Sequence, residues 1–370
     1  MTHATYPQMN GTCYVVFAFD IGQQVDVERA SKLIVESRLV GIEPRQRAPK
    51  HFEFRQKPMR VSLPVFPISL GSWQTAAEMD FVVYEFGAIS ATFRIPLTGA
   101  FDGLLELSDQ LYDNQMLLAE AQRHVEGLMK AIESAIGRPR ISTVVEDYVM
   151  FHLSSVSGEA GGPREIVTRY RQEVAQILRS ERQLLSEQEI EDATGEVLSY
   201  TPDDGVVVNW NAAFIFGREI EDVRAVLEFA NVHLLELRYL DRQLDKAIDQ
   251  SWETLTRRRV RGLQISNAFD VDLRRVAQLQ LDSAILFEGV SNALKLLGDQ
   301  FLSRVYRAAA RELYLNDWDK GIARKLGVVE TIYDKLDDRI SSVRMEIMEF
   351  TIIVLILVSI VLPFVIPYGK

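Results

Sequence analysis

Residues 81–93 read FVVYEFGAISATF. Aromatic and β-branched residues fill both ends of this run around Gly87, so it reads as strand, turn, strand. Residues 205–217, GVVVNWNAAFIFG, repeat the pattern. Outward from the first run, a strand is expected at Tyr14–Asp20 (YVVFAFD), an amphipathic helix over Val25–Ser37 and a strand at Val61–Leu70. Beyond it, Leu104, Leu107, Leu111, Leu117, Ala121, Val125 and Leu128 recur at three, four and seven with one slip, which predicts a long helix over 101–136. Outward from the second run, Val144–Leu153 is a strand, Pro163 opens a helix to about Leu185, and a long helix starts near Arg218. Each half is expected to be β-α-β-β-α. The predicted fold class is therefore α+β, a duplicated body of residues 1–137 and 138–260.

After the body, helix dominates. Leu234, Leu237, Leu244 and Ile248 keep heptad-like spacing, with Asp241 at the intervening position; Leu336, Ile340 and Val343 belong to a second such seam. These coiled-coil-like helices, with a stalk over 261–348, need a partner, so a homo-oligomer is expected, although pairing within one chain satisfies the seams too. Phe350–Tyr368 (FTIIVLILVSIVLPFVIPY) carries no charge. It predicts one C-terminal transmembrane helix over 349–368, with Phe350, Ile353, Leu357, Leu362 and Tyr368 in the lipid bilayer. Lys335, Arg339 and Arg344 before it favour an N-terminal body on the cytoplasmic side of the inner membrane. The first twenty residues lack a secretory-signal pattern, which points the same way.

The 370 residues are 47% apolar and 25% charged, a globular composition, with net charge −11. An acidic balance disfavours nucleic-acid binding by bulk electrostatics. Cys13 is the single cysteine, which excludes an internal disulfide and a zinc site built on several thiolates. His3, His51, His124, His152 and His233 show no metal-ligand spacing. The loop Ser157–Pro163 precedes a helix but lacks the Gly-Lys-Ser/Thr ending of a phosphate loop, and a plain connector is the better reading. Asp203-Asp204-Gly205 is a turn signal. Arg257, Arg258, Arg259 and Arg261 form the dense basic stretch. They suit an anion or RNA contact, weighed against the favoured alternative of a solvated helix end whose cations complement the dipole. An enzyme built on Glu85, Glu146 or Asp147 ranks third. No catalytic residue, cofactor or metal is expected.

Residues 302–358, LSRVYRAAARELYLNDWDKGIARKLGVVETIYDKLDDRISSVRMEIMEFTIIVLILV, together with YEFGAISATF at 84–93 and ANVHLLELRYLDRQLD at 230–245, carry a resemblance. They resemble the RMND/Rmd/Sif-type (required for meiotic nuclear division) domain-of-unknown-function family, in a bacterial style, with Arg344, Met348, Glu349 and Phe350 at the step into the membrane segment. The resemblance implies a membrane-anchored, oligomer-forming protein without established catalysis. The expected function is a membrane-tethered, self-associating scaffold whose body meets an unknown cytosolic protein partner. The alternative is a membrane-held RNA- or ribosome-binding factor using Arg257–Arg261.

Overall fold

The computed structural model describes residues 6–36, 57–157, 161–218, 220–257, 279, 281, 284 and 300–365; of 250–257, 333–344, 346, 347 and 361–365 only the backbone course is described. The chain divides into two units, one of residues 1–239 and 282–319, the other of 240–281 and 320–370.

The first unit is organised by β1 (Gln8–Asp20), β3 (Met59–Pro64), β6 (Glu78–Val83), β7 (Ala88–Ala100), β9 (Val145–Val156), β10 (Gly205–Val208) and β11 (Ala212–Phe216). They form one seven-stranded sheet in the order β10-β11-β9-β1-β7-β6-β3. Short pairs, β2 (Gln24–Val25) with β8 (Ile136–Gly137) and β4 (Ser69–Leu70) with β5 (Trp73–Gln74), stand beside it. β1 sits at the centre because both its faces are apolar. Cys13, Val15, Phe17 and Phe19 join the main core, while Tyr14, Val16 and Ala18 are buried on the opposite face.

The run at 81–93 does form strand, turn and strand. Tyr84 N donates to Ala88 O at 2.9 Å and Gly87 N to Tyr84 O at 3.2 Å. Gly87 has φ +101°, and a Cβ there would lie 2.0 Å from the carbonyl oxygen of Gly22, so glycine is required twice over.

The first face is covered by α1 (Val27–Glu36), α2 (Gly103–Leu111), α3 (Gln115–Ile132), α4 (Pro163–Arg169) and α5 (Arg171–Arg179), all of which contribute side chains to one core. α6 (Glu187–Thr194) packs against α5. The helix expected over 101–136 is two helices. Asp113 takes φ 49°, and Asn114 starts the second by accepting from Leu117 N at 2.9 Å and donating to Gln110 O at 2.8 Å. The slip in the apolar spacing marks this break.

The second face is covered by α7 (Glu221–Arg257) and α8 (Gln300–Glu312). In the second unit, α7 continues from Leu240, and α9 (Leu315–Val365) runs on from Lys320. There Leu240, Leu244 and Ala247 are buried on α7, as are Ile322 and Val329 on α9. Lys325 Nζ lies 2.6 Å from carboxylate oxygens of both Asp241 and Asp245.

Two expectations are corrected. The fold is mixed α/β around one mixed sheet, rather than an α+β duplication. β7 runs antiparallel to β1, whereas β11 runs parallel to β9, so the halves do not repeat one unit. Matching strand-turn-strand patterns carry no record of strand sense, which is set by the connection that returns the chain. The transmembrane helix is also overturned. Among the described residues no helix is long and apolar enough to cross a membrane. The uncharged part of α9, Phe350–Val365, rises only about 24 Å against a hydrocarbon thickness of roughly 30 Å. The single-pass anchor and the inner-membrane location inferred from it fall with that finding.

Candidate functional site

The densest polar chemistry lies between the second face of the sheet and α7. Register places Ser90 of β7, Ala18 of β1 and Glu146 of β9 in one row across three strands. Strand alternation points all three toward α7, with Asp20 two residues along on the same face. α7 is apolar on most of its surface here, yet Arg224, Glu228, Asn231, His233 and Glu236 are all buried. Arg224, Glu228 and Asn231 follow four-three spacing and so share a face.

The pairing is specific. Ser90 Oγ donates to Glu228 Oε1 at 2.5 Å. Asn231 Nδ2 donates to the Glu146 carbonyl at 3.3 Å, and Arg238 reaches the Glu146 carboxylate at 2.5 Å. The Arg224 guanidinium stands 4.9 Å over the Tyr14 ring and donates to Glu221 at 2.7 Å. Burial works against the Arg224 charge, but the Glu228 and Glu221 carboxylates outweigh it and hold its pKa above the ordinary arginine value. Burial, reinforced by Glu228, pushes the Tyr84 hydroxyl well up. His233 Nδ1 shares a 2.9 Å hydrogen bond with the Tyr306 hydroxyl of α8, and burial pushes its pKa down to about 4. His152 Nε2 donates to Gly217 O at 2.8 Å; burial lowers its pKa as well.

These contacts join α7 to the sheet and to α8. Ser90 and Glu228 resemble a hydroxyl and a base, but both are fully buried. Among the described residues, no three His, Cys, Asp or Glu side chains converge to hold a metal ion. Glu146 and Asp147 are neighbours on a strand and face opposite sides of the sheet, which rules them out as a working pair. Cys13 is buried in the core, which pushes its thiol up and keeps it unreactive.

The residues singled out from sequence are scattered. Leu237 and Leu244 are buried, while Leu234, Asp241 and Ile248 are half-buried; the buried stripe in the second unit is Leu240, Leu244 and Ala247. Leu336, Ile340 and Val343 lie on α9, with side chains outside the described residues. Phe350, Ile353 and Leu357 are exposed at 69%, 59% and 62%, so none of the described residues covers them. The side chain of Leu362 and the whole of Tyr368 fall outside the described residues, as do Arg258, Arg259, Arg261 and the side chain of Arg257. Asp204 caps its own turn, accepting from Tyr200 N at 2.7 Å and Thr201 Oγ1 at 2.8 Å. Helix α4 begins at Pro163 on a Gly162 cap with no side-chain bond, as a connector would. The buried α7 polar residues escaped sequence reading, though the signal was present: six polar residues interrupt the otherwise apolar stretch 223–240, and buried polar groups need partners.

A mixed sheet sandwiched between a helical layer and a long-helix layer, with a separate helical unit, defines the class. The chain belongs to the family described as Uncharacterized protein MJ0711, N-terminal domain, whose model matches residues 10–222. It is 21% identical over 310 residues to the uncharacterized protein MJ0711 of Methanocaldococcus jannaschii, covering 81% of this chain and 86% of that protein. No solved structure matches the chain. The RMND/Rmd/Sif-type resemblance is thereby corrected. The family match covers the sheet and its first helical layer, not the C-terminal helices. Heptad spacing leading into an apolar run is a property of many long helices and does not mark that family.

Proposed function

We propose that the protein is a non-catalytic, self-associating scaffold, assembled through its helical unit, with the sheet body displayed to a partner. One observation carries this reading. Every residue from Met348 to Ile360 is exposed in the single chain, and the apolar ones cover all sides of α9. A helix that is apolar all round belongs inside a bundle, and one neighbouring helix cannot cover it. The pairing of Lys325 with Asp241 and Asp245 supports the same reading, because it holds the start of α9 beside α7 within one chain. The apolar end is left for further copies.

Cysteine cross-linking tests the arrangement directly, since Cys13 is buried and stays silent. Ser359→Cys in the full chain is expected to give disulfide-linked dimers on mild oxidation, whereas the unsubstituted chain gives none. Absence of a cross-link at Ser359, and equally at a second position such as Ile356→Cys, would contradict assembly through this segment.

A further inference from the structure

We propose that α8 and the turn at 199–204 form a binding surface for single-stranded nucleic acid. Arg304, Arg307 and Arg311 stand at three-four spacing on the exposed side of α8, a stripe about 10 Å long. Their opposite side packs inward through Phe301, Val305, Tyr306 and Ala309. Arg311 is engaged by Glu196 at 2.6 Å and Glu312 at 3.2 Å. Arg304 and Arg307 have no carboxylate partner among the described residues. Each is held by a carbonyl instead, Ser199 O for Arg304 and Ser303 O for Arg307, both at 3.2 Å. Two guanidinium groups are therefore positioned without being neutralised, in a protein whose net charge is −11. Charge complementarity calls for an anionic partner, and the planar fork of arginine suits phosphate.

The aromatic neighbours select nucleic acid over an acidic peptide. Tyr200 is 73% exposed, and Tyr314, just beyond the far end of α8, is 65% exposed. Tyr200 sits on a turn braced by Asp204, and its ring lies 5.9 Å from Phe301, over which Arg304 also stacks at 5.6 Å. An exposed tyrosine held beside arginines that have no carboxylate partner among the described residues supplies the two parts of a single-strand platform, one for base faces and one for the backbone. The helix is about 20 Å long, enough for roughly six stacked nucleotides. The bulk acidity of the chain makes the binding weak and dependent on low salt.

The test is fluorescence anisotropy of a labelled twelve-nucleotide oligouridine titrated with the full chain at several salt concentrations. Saturable binding at low salt is expected. Arg304→Gln with Arg307→Gln should weaken it and lower the log–log salt slope by about 1.4, from roughly 0.7 per lost phosphate contact. Arg307→Gln alone, which leaves the Arg304 stack intact, should remove half of that slope. Tyr200→Ala should weaken binding roughly tenfold with the slope unchanged. Absence of saturable binding, or binding indifferent to these substitutions, would overturn the proposal. So would an oligoglutamate peptide that binds as tightly and depends equally on Tyr200, since the surface would then be a protein-docking face.

Discussion

At the residue scale, His233 is the most informative group. In the fold its pKa is pushed down to about 4 by burial, against 6.5 when exposed. The unfolded chain therefore takes up a proton first, so this residue favours the fold fully above pH 6.5. That contribution is lost as pH falls toward 4, by on the order of 3 kcal/mol in total. Other acid-sensitive groups titrate in the same window, so the comparison is with His233→Gln. Denaturant unfolding at pH 7 and pH 4.5 should show the unsubstituted chain losing about 2–3 kcal/mol more than the variant. Equal losses would mean that the ring is solvated in the folded state. The sequence showed that His233 lies in a helix, but not that both sides of that helix are covered. Residues 223–240 are mostly apolar and mostly buried, and the buried polar residues among them take partners from β1, β7, β9 and α8, which are distant in sequence.

At the element scale, strands and helices were legible wherever an apolar pattern ran without interruption. β9 and the 81–93 unit stand close to where the pattern puts them, and β1 contains the expected Tyr14–Asp20 but begins six residues earlier; two-sided burial demands the continuous apolar runs seen in the sequence. Strand sense was not legible, and neither was the single sheet that joins β1 to β9, since register depends on tertiary pairing. Beyond residue 239 the buried stripe of α7 is Leu240, Leu244 and Ala247, of which the expected seam included Leu244. Asp241, which faces Lys325, and Ile248 are half-buried within one chain. That ion pair is partly exposed, with Lys325 at 27% and Asp245 at 54%. Lys325→Met should therefore cost no more than about 1 kcal/mol in denaturant unfolding, and about 1 M salt should remove most of the difference. A cost of several kcal/mol that persists in salt would show that the pair is buried in an assembly.

For the whole molecule, composition indicated a globular acidic chain, and that reading is consistent with the core. Uncharged length near the C-terminus did not distinguish a bilayer from a protein bundle, because both reward apolar surface on every side of a helix. The apolar side chains of the 350–360 segment face every side of α9 and are exposed in one chain, and they carry the central claim of self-association. The most direct measurement is the mass of the full chain in detergent-free solution by light scattering over a range of concentrations, beside an Ile353→Lys, Leu357→Lys variant. The account expects a discrete oligomer that the paired lysines convert to monomer, because each would place a charge inside the bundle. A monomer at every concentration, an oligomer indifferent to the lysines, or a chain that stays in solution only when lipid vesicles take up the segment would contradict it.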